Sequence, residues 1–162
     1  MSDLQCAATL LVVRHGDHDD RALTALGRSQ ARTLARDLTG RRVAAVYTSR
    51  LARARDTGVE ICAVLGLGVQ VVDGLEELDL AATCPDRESG AGVVQRFREA
   101  LDDIADLHRG ETVVAVSHPG VMSMCLPVLC RGLSREQGGN RQLAGCTVVE
   151  IHVDGDGWML GS

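Results

Sequence analysis

Two histidines stand where apolar runs give way to glycine, in Val12-Val13-Arg14-His15-Gly16 and in Val116-Ser117-His118-Pro119-Gly120. An imidazole can serve as base, metal ligand or nucleophile. Arg14, beside the first, offers a planar fork of donors suited to phosphate oxygens. A third apolar run, Val43 to Ser49, is followed by Arg50, Arg53 and Arg55. If the three runs are parallel strands lying side by side, their C-terminal ends bring two imidazoles and at least two guanidiniums to one crevice. Ligands of α/β sheets sit at such strand ends. The set suits a doubly charged phosphoryl group. A buried histidine satisfied by its neighbours is the plain alternative for either ring alone, and the repetition of one pattern at two strand ends weighs against it.

The elements that must position these residues alternate between strand and helix. Leu10 to Val13 reads as a buried strand. A helix capped by Thr24 runs to Leu38, with Leu26, Ala31, Leu34, Ala35 and Leu38 near helical spacing, and Gly40 stops it. After the Val43 run, Arg50 to Leu65 predicts a helix ended by Gly66 and Gly68, then a short strand over Val69 to Val72. Ala81 to Gly92 reads as a loop. Val93 to Leu107 is an amphipathic helix. The Thr112 to Ser117 strand leads to a buried helix over Val121 to Leu129, and Arg131 to Leu143 reads as a loop. Cys146 to Val153 alternates as a half-exposed strand, and Asp154-Gly155-Asp156-Gly157 turns it into Trp158-Met159-Leu160. The expected architecture is α/β: one domain over 1–162, in three layers, with a mainly parallel sheet and helices on both faces.

Composition narrows the function. The chain has 162 residues, 45% of them hydrophobic, and a formal charge of -5. That is enough chain for a real core, and a core that must be aliphatic, because Tyr47, Phe97 and Trp158 are the only aromatics. Scarce aromatics and net negative charge argue against nucleic-acid partners, which call for stacking platforms and broad basic surfaces. All seventeen basic residues are arginine, which excludes a P-loop lysine, a Schiff-base lysine and a kinase lysine. Six cysteines, Cys6, Cys62, Cys84, Cys125, Cys130 and Cys146, show no CxxC spacing and read as small buried hydrophobes. No signal peptide or membrane-length apolar run is present, so no membrane partner is expected and the reducing cytoplasm is the expected location. Asp17-His18-Asp19-Asp20 holds metal-ligating residue types, but consecutive ligands in a short loop rarely face one centre. It reads as a solvated loop, and neither a metal nor a cofactor is expected.

Four ordered motifs, Arg14-His15-Gly16, Leu23-Thr24-x-x-Gly27-x-x-Gln30-Ala31, Tyr47-Thr48-Ser49-x-x-x-Arg53-Ala54-x-x-Thr57 and Val116-Ser117-His118, resemble the histidine phosphatase (phosphoglycerate mutase-like) superfamily. Glu88-Ser89 followed by Arg96, and Cys146-Thr147-Val148 leading to Asp156-Gly157-Trp158, extend the resemblance over nearly the whole chain. It implies that His15 is the nucleophile that takes the phosphoryl group, with its other nitrogen held by an acceptor such as a backbone carbonyl. Arg14 and Arg53 match the phosphate-clamping arginines, and His118 the second histidine, which donates to the phosphoryl group. Arg50 and Arg55 read as a solvated helix face. In Leu75-Glu76-Glu77-Leu78 the alignment selects Glu77 over Glu76 as proton donor to the leaving group, with Asp79 and Asp17 as alternatives.

Three departures shape the expectation. About ten residues separate Glu77 from Glu88-Ser89, where larger members carry a helical cap, so the site is expected to be open. The segment after Gly16 lacks the usual asparagine, and Arg21 resembles the arginine of the compact SixA-like phosphohistidine phosphatases, where it would bind substrate. Pro119 stands where many members have glycine and has no N–H, leaving the Gly120 amide as a substitute phosphate donor. The expected activity is a cofactor-independent phosphatase working through a phosphohistidine, on a phosphohistidine protein or a small phosphomonoester. The competing readings are a non-catalytic phosphate-binding regulatory module of the same fold and a metal-dependent hydrolase.

Overall fold

The computed structural model describes residues 6–79, 89–134 and 144–162. Seven strands form one sheet in the order β3-β2-β4-β1-β6-β7-β5. These are β1 (Ala8–Arg14), β2 (Val43–Thr48), β3 (Val69–Val71), β4 (Thr112–Ser117), β5 (Cys130–Arg131), β6 (Val148–Asp154) and β7 (Gly157–Leu160). Four of the six pairings are parallel; β6 runs antiparallel to both β1 and β7. The three strands that carry the chemistry are neighbours, with β4 between β2 and β1. Arg14 pairs with Ser117 and Thr48 with Val116, so the three strands end at one level.

Strand alternation sends successive side chains to opposite faces, and each face has its own core. Leu10, Val12, Tyr47, Val113 and Ala115 pack under α3 (Gly90–Leu107) and α4 (Pro119–Leu129). Leu11, Val13, Val46, Val114 and Val116 pack under α1 (Ala25–Asp37) and α2 (Ala52–Leu65). All three aromatics fall in the first core, where Phe97 is completely buried. Burying a side chain of that size stabilises the fold by roughly 2–3 kcal/mol. The helices therefore cover both faces, as the alternation of elements implies.

Thr24 caps α1 by accepting the Gly27 N–H, which satisfies one of the helix's orphan donors. The stripe that α1 buries is Gly27, Ala31 and Ala35; Leu26, read as part of it, is 58% exposed. Gly66 ends α2 in the left-handed conformation, at φ 71°. Two further readings need correction. The loop read up to Gly92 ends earlier, because Ser89 caps α3 by accepting the Gly92 N–H and the helix starts at Gly90. Arg131, read as the start of a loop, belongs to β5, which pairs with β7 through Cys130–Trp158 and Arg131–Met159. Two residues are too few to show a period. The rest of the loop read over 81–92, with Cys84 and Glu88, and of that read over 131–143, falls largely outside the described residues.

Candidate functional site

Turns built on close backbone contact place the first histidine. The β1–α1 turn packs Gly16 against Gly27: a Cβ on Gly16 would lie 2.7 Å from the Gly27 carbonyl, and one on Gly27 would lie 2.1 Å from the Asp17 carbonyl. Only glycine at both positions permits that approach. Thr57 of α2 then locks the turn, its hydroxyl accepting the Gly16 N–H at 3.0 Å and donating to the Arg53 carbonyl at 2.7 Å. The same four-residue helical spacing sets Arg53 and Thr57 on one face, towards β1.

Seven polar or charged residues are buried among those described: His15, Thr48, Ser49, Thr57, Glu60, Ser117 and His118. Glu60 is paired with Arg28 and Arg32 on the helical face. The other six gather at the C-terminal ends of β1, β2 and β4 and on the facing turn of α2. Polar groups are buried only when their bonds are made or when they have work to do.

The two imidazoles are neighbours, with ring centroids 5.1 Å apart and planes tilted by 57°. His15 Nδ1 lies 2.9 Å from the Gly16 carbonyl. A carbonyl only accepts, so Nδ1 carries the proton and Nε2 carries a lone pair. Arg53 Nε donates to that lone pair at 3.3 Å. Burial, with the nearby charges of Arg53, His18 and Arg14, lowers the His15 pKa to about 4, against the opposing pull of the Gly16 carbonyl. The ring is therefore a free base at neutral pH. His118 is fully buried, and burial, then the charges of His15 and Arg53, lowers its pKa to about 2. Its Nε2 is 2.7 Å from the Ser49 hydroxyl. His118 Nδ1 and Arg14 Nε are buried with no protein partner. Two orphaned nitrogens, on the chain neighbour of His15 and on the ring 5.1 Å from it, fit an anion better than any neutral ligand. The N-terminus of α2, from which Arg53 projects, adds its dipole.

Glu77 sits at the start of α4. Its Oε2 accepts the Gly120 N–H at 3.0 Å, and its Oε1 accepts those of Val121 at 2.8 Å and Leu78 at 2.9 Å. The Gly120 amide, expected as a phosphate donor, is thus committed to Glu77. Gly120 is instead a matter of space, because a Cβ there would stand 2.5 Å from Glu77 Oε1. Arg96 of α3 holds the preceding loop by donating to the carbonyls of Gly74, Glu76 and Glu77, and Ser117 Oγ donates to the Leu75 carbonyl. Glu76 serves that loop, accepting the Gly74 N–H and pairing with Arg50. Asp17 accepts from Thr24, Asp79 is exposed, and so is Arg55.

Arg21 is exposed and lines, with His18, Asp19, Asp20 and Arg53, a hollow of about 290 Å³. The Asp17–Asp20 loop does not converge on a centre: Asp19 caps the Arg21 and Ala22 amides, and His18 Nδ1 meets the Asp19 carbonyl. His18 nevertheless reaches the site, its ring centroid 4.8 Å from that of His15. Sequence reasoning missed His18 and Ser49 as site residues. Ser49 had a signal, a serine closing an apolar strand before an arginine-bearing helix; His18 had none beyond its nearness to His15.

The adjoining strand ends of this α/β sheet hold a free-base imidazole, a second imidazole and two guanidiniums, a set of groups suited to a phosphoryl anion. The chain belongs to the histidine phosphatase superfamily (branch 1), whose family model matches residues 9–83 and 79–162. It is 26% identical to "Putative phosphoserine phosphatase 2" of Hydrogenobacter thermophilus, over 85% of this chain and 80% of that protein. Among solved structures, YhfR of Bacillus stearothermophilus superposes with a TM-score of 0.81 at 25% identity, covering 96% of each chain. The protein histidine phosphatase SixA, in complex with tungstate, superposes with a TM-score of 0.69 at 18% identity over 95% of this chain and 94% of that one, a likeness of fold. Among the described residues no helix is long and apolar enough to cross a membrane.

Proposed function

We propose that this protein is a cofactor-independent phosphatase that works through a phosphohistidine on His15. The observation that carries the proposal is the held tautomer of His15: Nδ1–H engaged by the Gly16 carbonyl and the Nε2 lone pair turned to Arg53. A bound phosphoryl oxygen takes over the Arg53 N–H and frees that lone pair for phosphorus. Nε2 attacks, the bond from phosphorus to the leaving group breaks, and a P–N bond forms. Arg14, Arg53 and His118 donate to the phosphoryl oxygens as charge gathers on them. For an alkoxide to leave, Glu77 must be protonated before the attack, a state that its three amide contacts oppose. It then gives that proton to the leaving group and regains one from the water that cleaves the P–N bond.

The substrate is an exposed phosphoryl group, and the first choice is a phosphohistidine on another protein. Three amide donors already point at the Glu77 carboxylate, an arrangement suited to an acceptor. The P–N bond of a phosphoramidate demands least of a proton donor. The hollow beside His18 and Arg21 favours a second reading, a small phosphomonoester whose leaving group fits about 290 Å³, in keeping with a relative named for phosphoserine.

The test is rapid-quench trapping with labelled substrate on the wild type and His15→Ala. An acid-labile, base-stable phosphoenzyme confined to the wild type supports the mechanism. Turnover without it, or turnover abolished by EDTA, refutes it, and tight vanadate binding without turnover leaves a non-catalytic module. A panel of phosphohistidine protein, phosphoserine, sugar phosphates and phosphoglycerates then separates the two substrates.

A further inference from the structure

A second imidazole helps a phosphoryl group only if an N–H, and not a lone pair, faces the anion. We propose that Ser49 is a positioning residue that holds His118 in the neutral tautomer with its proton on Nδ1, making Nδ1–H the donor offered to the phosphoryl oxygens. Ser49 and His118 are both fully buried, and Ser49 Oγ lies 2.7 Å from His118 Nε2. Ser49 Oγ also accepts the Leu51 N–H at 3.3 Å.

Hydrogen-bond accounting then fixes the proton. With Ser49 donating to Nε2, every polar atom of the pair has a partner except Nδ1–H. With the direction reversed, Nε2–H donates to Ser49. The serine's own proton and the Nδ1 lone pair are then both stranded in a buried place. The first arrangement leaves one unmatched group and the second leaves two. The single group left over, an N–H on a ring whose centroid is 5.1 Å from that of His15, is the one a phosphoryl oxygen would complete. In the reverse arrangement a lone pair would face the anion.

The serine is itself held from two sides. Its N–H donates to the Val116 carbonyl of β4 at 3.3 Å, and its hydroxyl takes the amide that leads into α2. Ser49 thus ties the end of β2 to the strand that delivers His118. The two histidines come out with the same tautomer and opposite uses. His15, set by the Gly16 carbonyl, offers its bare Nε2 to phosphorus. His118, set by Ser49, offers its protonated Nδ1 to oxygen.

The tautomer can be read directly, from two-bond proton–nitrogen correlation spectra of 15N-labelled protein at pH 7, with the His118 ring assigned by comparison with His118→Asn. The expected wild-type pattern is Nδ1 protonated and Nε2 bare. Ser49→Thr keeps it, and Ser49→Ala lets the proton spread to Nε2. In kinetics Ser49→Ala slows phosphoenzyme formation about 10- to 100-fold with little change in KM, less than the roughly 10²- to 10³-fold of removing a transition-state donor outright, because the His118 ring remains. Ser49→Thr restores the rate to within a few-fold. A wild-type His118 protonated on Nε2, or an unaltered rate in Ser49→Ala, overturns the proposal, and the wild-type spectrum decides the first point even if Ser49→Ala fails to fold. The kinetic arm alone rests on the phosphatase reading. A correct tautomer in a protein that forms no phosphohistidine would defeat that reading and leave the tautomer assignment standing.

Discussion

Arg53 Nε rests 3.3 Å from His15 Nε2, so the proposed nucleophile is hydrogen-bonded in the free protein to the group proposed to clamp its substrate. This bond keeps the lone pair oriented, and a phosphoryl oxygen replaces the lone pair as acceptor when it arrives. Arg53→Ala removes both services and should lower kcat/KM by about 10²- to 10³-fold. Arg53→Lys should recover only part, since an ammonium supplies charge without the planar fork. Steady-state rates on one substrate check this, and equal kcat/KM in all three proteins would dismiss the clamp.

The depressed histidines make stability depend on pH in a defined window. Above the ordinary imidazole pKa of 6.5, native and unfolded rings are both neutral. Below it the unfolded chain binds a proton on each ring, which the native protein refuses until about pH 4 at His15 and about pH 2 at His118. The unfolded state then holds more protons, so stability falls as pH drops from 6.5 towards 4, by about 2.7 kcal/mol per pH unit when both rings contribute. Urea unfolding at pH 5, 6 and 7 should show this slope, and His118→Gln should lower it by about one proton. A flat profile would count against both buried neutral rings.

The same shift governs activity. Because the free His15 ring stays unprotonated down to about pH 4, the acid limb of kcat/KM that belongs to the nucleophile should fall near pH 4 and not near 6.5. A pH–rate profile with p-nitrophenyl phosphate, whose leaving group needs little help, isolates that limb.

Glu77→Gln separates the leaving groups. It keeps an oxygen for only one of the amides of Gly120 and Val121, which bond different oxygens of Glu77, sets an NH2 against the other, and loses the proton-carrying carboxyl. Hydrolysis of alkyl phosphates should drop about 10²-fold or more, while phosphoenzyme formation from a phosphoramidate should change only a few-fold. Equal losses on both would remove Glu77 as proton carrier.

Gly120→Ala tests the seat of that carboxylate. A methyl 2.5 Å from Glu77 Oε1 must push the side chain away or shift the start of α4. Overpacking of this kind costs roughly 1–3 kcal/mol. Thermal unfolding should fall by several degrees and alkyl-phosphate turnover by more than the stability change explains. A variant with wild-type Tm and rate would show that the Glu77 position is not needed.

Much of the fold was legible because its signals are local. The apolar runs of β1, β2 and β4, the glycines that end them and the helical spacing between them carry the alternation that puts strands in parallel and helices on both faces. His15, Arg14 and His118 follow from that alternation, since each lies at or just beyond the end of a run; Arg53 was separated from Arg50 and Arg55 only by the resemblance to the family motif. Short or context-driven features did not follow. Two residues of β5 have no period, and Gly90 joins α3 through a cap at Ser89. Leu26 faces solvent because a helix of small residues packs on Gly27, Ala31 and Ala35.

The residues along the chain thus determined which side chains stand at the strand ends and that their chemistry suits a phosphoryl group. Tertiary structure alone decided what each one does there. Ser49 meets His118 across 69 positions and Gly120 meets Glu77 across 43. A ring's tautomer, or an amide's availability, is set by whichever partner the packing brings within 3 Å, and no local pattern encodes a partner that far away.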